Sequence, residues 1–367
     1  MPQLTRSTRL GRARQIIDQH DLDALLVSRP AASRWLSGFV LQPMEAASSG
    51  YAGTLLVTQQ NARLLADPRY TEQAALDCDP QWEIVRTDGP IEENLPRLLD
   101  GARRVGAQAA TLTHASWMAL TAALGSVELI PIDGELERLR RIKDSAEIEA
   151  LERACALTDA CFAYLCTWIE VGMTGRQVAD EIGRWFGVNG AEGIAFDPLV
   201  LAGASAAKPH GRSDGVAFNL GDPLLIDFGC VVDGYHSDMT RTVFLGEPSD
   251  RQRDLYGYVR DAQRRAEEAA LVGVPGTAVH AAALDALAAV GYGAAFTHGL
   301  GHGIGLEIHE QPLLKTSDEP LQAGMAFTLE PGIYLPGEIG IRIEDDYHLT
   351  DAGLRRLTGA TREIIVI

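Results

Sequence analysis

The sequence predicts a mixed α/β protein of two domains: an N-terminal α/β domain over residues 1–138, and a C-terminal α+β domain over residues 139–367 with pseudo-twofold internal symmetry. Three observations predict it. The 367 residues exceed one ordinary domain and leave ample chain to bury a sizeable core. Short apolar runs alternate with helix-like stretches up to about residue 135, the pattern of an α/β layer. Beyond that point the chain echoes itself at an offset near 100 residues, as expected if one supersecondary unit occurs twice.

Taken in order, MPQLTRSTRLGRARQIIDQH is basic and amphipathic, with Leu10, Ala13, Ile16 and Ile17 at helical spacing. It lacks the apolar centre of a signal peptide, so cytoplasmic residence is expected. The runs ALLV (24–27), TLLV (54–57) and VELIPI (127–132) read as strands, and RPAASRWLSGF and ADPRYTEQA as loops beside them, because Pro and Gly interrupt periodicity there. The charged segment that begins ELERLRRIKDSAEIEALERA carries Ser145 followed by Leu151, Ala154, Leu157 and Cys161 at helical spacing, which places the domain boundary between 135 and 145.

The echo has two parts. EVGMTGRQVADEI (170–182) resembles LVGVPGTAVHAAA (271–283), each a Gly-x-x-Gly turn that opens a helix. NLGDPLLIDFG (219–229) parallels LQAGMAFTLEPG (321–332), each a turn that feeds an apolar strand ending in an acid. Two such halves would bring equivalent strands together about a pseudo-twofold axis, with helices over one face.

Composition excludes several classes of function. No run approaches the roughly 18 apolar residues of a membrane span. Fifty acidic against 32 basic residues give a formal charge of −18, which repels nucleic acid and anionic lipid. The five cysteines, Cys78, Cys155, Cys161, Cys166 and Cys230, form no CxxC pair and read as reduced, mostly buried thiols.

The chemistry lies in the carboxylates and histidines of the second domain. Asp227 and Asp238 flank a hairpin turn expected at Asp233-Gly234, so that both face one side. A strand such as LLID does not readily bury an ion without a compensating cation or donor; an exposed strand end, or a salt bridge with Arg241, is the alternative. Glu330 and Glu344 occupy matched places in the second half, and four acids meeting at the axis are tolerable only around bound cations. Oxygen-rich donors favour hard or borderline ions such as Mn²⁺. HGLGHGIGLEIHE (298–310) would add His302 as the nitrogen ligand, its flanking Gly301 and Gly303 allowing close approach of the backbone. His298 and His309 would then face substrate, although surface or satisfied buried histidines would read alike. His210 precedes Asp227 as that cluster precedes Glu330. Arg342, two residues before Glu344, is expected on the same strand face, where it would brace a carboxylate or hold a substrate anion. His236 and His280 are left as structural.

The blocks IDFGCVVDGYHSDMTRT, HGLGHGIGLEIHE, LEPGIY and RIEDD resemble the signatures of the pita-bread metallopeptidases, across the whole C-terminal domain. With WLSGF (35–39) and DPRY (67–70) in the N-terminal domain, the chain is similar to Xaa-Pro dipeptidases (prolidases) and aminopeptidases P. The resemblance implies a creatinase-like domain followed by a pita-bread catalytic domain. It implies two divalent metal ions, Mn²⁺ first with Co²⁺ or Zn²⁺ as alternatives, on Asp227, Asp238, His302, Glu330 and Glu344. It also implies Glu330 as acid/base, His309 and His210 at the oxyanion, His298 orienting substrate, and a homodimer acting on small proline-containing peptides. Arg29, Arg34 or Arg69, in or near the loops RPAASRW (29–35) and LQPMEAASSGYAG (41–53), are candidates for the substrate carboxylate. Dipeptides are expected to be preferred to longer peptides, with aminopeptidase P as the alternative. A catalytically idle binding protein on this fold is the remaining reading, and metal-dependent cleavage discriminates it.

Overall fold

The structure, a computed structural model, describes residues 6–41, 52–99 and 101–367. The chain divides after Arg140 into two compact units, described separately.

The first unit is built on a six-stranded mixed sheet in the order β4-β3-β2-β1-β5-β6. Its strands are β1 (Ala24–Val27), β2 (Thr54–Thr58), β3 (Ala62–Ala66), β4 (Glu83–Arg86), β5 (Arg104–Ala107) and β6 (Glu128–Pro131). β1 runs antiparallel to β2 and parallel to β5. The helix Arg6–Gln19 buries Leu10, Ala13, Ile16 and Ile17, the stripe its sequence spacing predicts.

The two loop expectations are corrected. Pro30–Ser37 is a helix: Pro30 stands in its first turn, where its missing N–H costs nothing, and Ala32, Trp35 and Leu36 are buried. Gly38, at φ 87°, closes it in the left-handed conformation that glycine adopts without penalty. Similarly, the turn at Asp67–Tyr70 leads directly into the helix Thr71–Asp77. Arg29 lies 3.4 Å from Glu137, and Arg69 pairs with Asp67 at 2.8 Å. Most of the LQPMEAASSGYAG segment, residues 42–51, lies outside the described residues.

The second unit repeats one plan. Helices Ser145–Trp168 and Gly175–Val188 precede β7 (Gly193–Ile194), β8 (Leu199–Ala202), β9 (Pro223–Phe228), β10 (Cys230–Val232), β11 (Tyr235–His236) and β12 (Met239–Phe244). Helices Asp250–Ala269 and Gly276–Ala289 precede β13 (His302–Gly303), β14 (Glu310–Leu313), β15 (Ala326–Leu329), β16 (Gly332–Leu335), β17 (Ile339–Arg342), β18 (Asp345–Thr350) and β19 (Gly353–Arg356). The order β12-β9-β8 in one sheet corresponds to β18-β15-β13 in the other.

The joints repeat as well. Thr174 bridges Ala217 as Pro275 bridges Pro320, and the Gly172 N–H donates to Phe218 O as the Gly273 N–H donates to Leu321 O. Gly172 (φ 92°) and Gly273 (φ 90°) are both left-handed, which explains the glycine that opens each half of the echo. Each helix pair packs on its own strands. Val178, Ile182 and Phe186 meet Ile226, Phe228 and Val243 in the first half; Val259, Val279 and Leu287 share a core with Phe327, Leu329 and Ile341 in the second. Full burial of such a side chain contributes about 1.5–3 kcal/mol. The helix after the boundary is capped by Asp144 in a capping box with Glu147, one residue before the expected Ser145, because the carboxylate accepts from the Glu147 N–H.

Candidate metal centre

The acids arrive at the centre from strand ends. Asp227 is the penultimate residue of β9 and stands opposite Thr240 of β12, while Asp238 immediately precedes β12. The link between them contains the β10–β11 hairpin, whose turn at Asp233 (φ 51°) and Gly234 (φ 80°) has the two positive φ values of a type I′ hairpin. Glu330 immediately follows β15, and Glu344 lies between β17 and β18. Asp227, Asp238, Glu330 and Glu344 line one cavity of about 160 Å³ with His210, His298, His302, His309 and Arg342.

Asp227 Oδ1 and Asp238 Oδ1 are buried without a hydrogen-bond partner. Burial drives the Asp238 and Glu344 carboxyls well above their ordinary range, and neighbouring carboxylates add to the shift. Glu330 is pushed up to about 8, chiefly by burial, against the attraction of Arg342. Buried carboxyls raised in this way for want of counter-charge mark a site that divalent cations would complete. Ligand atoms of Asp238, His302 and Glu344 lie within 4.8 Å of one another.

His302 fits the nitrogen role. Its Nδ1 lies 3.1 Å from Gly303 O and donates to it, which leaves the Nε2 lone pair 3.6 Å from Asp238 Oδ2 and 3.7 Å from Glu330 Oε1. Burial depresses its pKa to about 4, so the imidazole is neutral and able to ligate. The flanking glycines have a different cause from the one expected. A Cβ on Gly301 would stand 2.0 Å from Thr328 O, and one on Gly303 2.2 Å from Gln311 O, so both glycines accommodate adjacent strands.

Arg342 braces a carboxylate, one of the two roles expected of it, but not from the strand face expected. β17 ends at Arg342, so Glu344 does not share its strand face. The guanidinium is instead a hub: Nη2 donates to Asp227 Oδ2 at 2.5 Å, Nε to Thr240 Oγ1 at 2.9 Å and Nη1 to Tyr334 Oη at 2.7 Å. Thr240 passes the restraint on by donating to Glu344 Oε2 at 2.6 Å. Arg241, the alternative partner for the paired aspartates, is engaged with Asp345 at 2.6 Å.

His298 lines the cavity but has both ring nitrogens engaged within the protein, Nδ1 with Gly299 O at 2.7 Å and Nε2 with Tyr334 Oη at 2.8 Å. It is therefore anchored, in contrast to the free substrate-facing donor expected from sequence. His210 and His309 are exposed, and neither ring nitrogen makes a hydrogen bond among the described residues. His236 donates to Gly305 O and His280 packs on Phe296; neither lines the cavity.

Three supporting residues escape the sequence reading. Tyr334 joins Arg342 to His298, Thr240 joins Arg342 to Glu344, and buried Asp346 accepts from the Asp238 N–H at 2.8 Å and from Cys155 Sγ at 3.3 Å. Tyr334 lies in LEPGIY, and its spacing of four from Glu330 was the available signal. Tyr334→Phe should leave His298 Nε2 and one guanidinium N–H short of a partner and cost about 1–3 kcal/mol of stability. Urea unfolding checks this, and an unchanged midpoint would contradict the bridge.

Comparison with known proteins agrees with this geometry. Residues 149–351 match Metallopeptidase family M24, and residues 9–142 match the Creatinase/Prolidase N-terminal domain. An uncharacterized peptidase of Bacillus subtilis is 34% identical over 98% of this chain and 100% of its own length. Among solved structures, an Xaa-Pro dipeptidase from Bacillus anthracis superposes with a TM-score of 0.93 at 35% identity, covering 99% of this chain and 100% of that one. An X-Pro aminopeptidase from Thermotoga maritima superposes with a TM-score of 0.88 at 33% identity, covering 98% and 100%.

Proposed function

Since the chain belongs to metallopeptidase family M24, we propose that it hydrolyses the Xaa-Pro bond of small peptides, dipeptides in preference, using two divalent cations held by Asp227, Asp238, His302, Glu330 and Glu344. The observation that carries this reading is the meeting of four acids with a neutral imidazole and two unsatisfied carboxylate oxygens in one cavity. Charge supports the number two. Four carboxylates against the Arg342 guanidinium leave three net negative charges; one divalent cation would leave one negative charge and two would leave one positive charge, and only the second state attracts an anionic nucleophile. Mn²⁺ is the first candidate ion, and a homodimer the first candidate assembly.

Bound there, divalent cations supply Lewis acidity and make hydroxide available near neutral pH. The protein's own groups do the rest. Glu330, on the cavity wall, takes the proton from the attacking water and returns it to the proline nitrogen as the bond breaks. His309 and His210, with ring nitrogens free at the cavity, donate to the oxygen on which negative charge develops. His298, fixed by Tyr334, shapes the wall against which substrate is oriented. Arg342 keeps Asp227 in place directly and Glu344 through Thr240.

The small cavity, about 160 Å³, supports the dipeptide preference. One observation favours the alternative, aminopeptidase P activity: a wider groove of about 780 Å³ adjoins it at Leu199 and His210, and could receive residues beyond the proline. Turnover of Ala-Pro compared with Ala-Pro-Ala decides between them. Preferential cleavage of Ala-Pro is expected, and a clear preference for the tripeptide reverses the assignment.

A further inference from the structure

We propose that the buried ion pair between Lys143 and Glu310 is a positioning device for His309. The pair itself is independent of the proposed function; its kinetic consequence rests on that reading. Residues 304–309 form the loop of the β13–β14 hairpin, with Gly303 paired to Glu310 across it. His302 stands at the start of this hairpin and His309 at the end of the loop, with ring centroids 4.3 Å apart. The His309 ring is exposed and makes no hydrogen bond among the described residues, so its position depends on the backbone that carries it.

That backbone is held through its neighbour. Lys143 Nζ donates to Glu310 Oε2 at 2.8 Å, with side-chain exposures of 0% and 7%. The other carboxylate oxygen, Oε1, accepts from the Glu307 N–H at 3.2 Å, so one carboxylate ties the return leg of the loop to its middle. A Cβ on Gly305 would lie 2.9 Å from both oxygens, which shows how tightly the loop closes over them. Gly305 O in turn accepts from the His236 N–H at 2.9 Å.

The lysine is itself rigidly mounted. Its N–H donates to Gly324 O at 2.8 Å, and the next residue, Asp144, caps the long helix Ser145–Trp168. His309 immediately precedes Glu310, so gripping Glu310 fixes the backbone that carries His309, whose ring lines the cavity. Leu306 and Ile308 pack on Ile148, Leu151 and Tyr235, which gives the loop adhesion without fixing its register. Fixing register is the best attested use of a buried ionic contact.

The test uses the full chain carrying Lys143→Met or Lys143→Arg, each compared with wild type. Turnover of Ala-Pro is measured with Mn²⁺, and the imidazole Cε1–H resonance of His309 is followed by NMR in metal-free protein, assigned with His309→Gln. In Lys143→Met, kcat should fall about 10- to 100-fold with KM within about threefold, as expected when an oxyanion donor is displaced. The His309 resonance should move towards that of free histidine while that of His298, which makes no ring contact with it, holds. Lys143→Arg, which keeps a cation able to pair with the carboxylate, should retain the His309 resonance and restore most of kcat. If Lys143→Met fails to fold, Glu310→Gln is read in the same way. A lower Tm with unchanged kcat and unchanged His309 resonance would overturn the proposal, leaving a purely structural ion pair. Absence of Ala-Pro cleavage by wild type would instead refute the peptidase reading, and the resonance would still test the pair.

Discussion

Asp238→Asn is expected to lower turnover of Ala-Pro by about a thousandfold or more, the scale set by the several kcal/mol that metal ions contribute to a hydrolytic transition state. The substitution is nearly isosteric and keeps the backbone N–H that donates to Asp346. What it changes is charge. Asp238 is 5% exposed, lies 3.6 Å from the His302 nitrogen and shares its cluster with Glu344, so an amide there presents donors where a cation requires an anion. Burial and three neighbouring carboxylates in the cavity make the ionised form of Asp238 costly without a cation. Removing that charge should therefore leave the metal-free fold as stable as wild type, or more so. Loss of activity with Tm retained in chelator separates a metal-site defect from unfolding; near-normal turnover contradicts the assignment of Asp238 as a ligand.

Removing metal should abolish activity and leave a characteristic dependence of stability on pH. Glu330 titrates near 8 in the folded metal-free protein, against an ordinary value of 4.5. Between those values the folded state binds more protons than the unfolded state, so stability falls as pH rises. His302, lowered to about 4, and His298, lowered to about 3, act in the opposite sense: the unfolded state holds more protons up to about 6.5, and stability rises with pH over that range. Only the carboxyl contribution of this centre remains once the unfolded-state histidines have lost their protons, from about pH 7.5 upwards. Each unit of displacement corresponds to about 1.4 kcal/mol. In chelator, Tm should fall across that window. Saturating Mn²⁺ replaces the protons, so the fall should disappear and proton uptake by the buffer should accompany binding at pH 7. Equal pH profiles with and without Mn²⁺ would show that the acids are not its ligands.

Much of the site was legible because its parts are local. An acid at the end of an apolar strand, repeated about 100 residues later, is visible without coordinates, and so are the paired glycines that open each helix. The supporting contacts were not, since they join distant segments: Arg342 with Asp227, Thr240 with Glu344, Lys143 with Glu310. No periodicity within one segment specifies a partner on another. Arg342 illustrates the error this causes, because period-two reasoning assumed a strand that in fact ends at that residue. In the first unit, β3, β4 and β5 were missed because ARLLA, EIVR and RVGA are short and all three carry charge. Pro30 misled because proline breaks a helix interior yet is welcome in its first turn.

The proposed role of bound cations is to resolve the repulsion among Asp227, Asp238, Glu330 and Glu344. Anomalous diffraction at the manganese edge from crystals grown with Mn²⁺ tests it most directly. Two peaks among those carboxylates, one of them within ligand distance of His302 Nε2, are predicted. An active, Mn²⁺-loaded crystal with no peak in that cavity would contradict it.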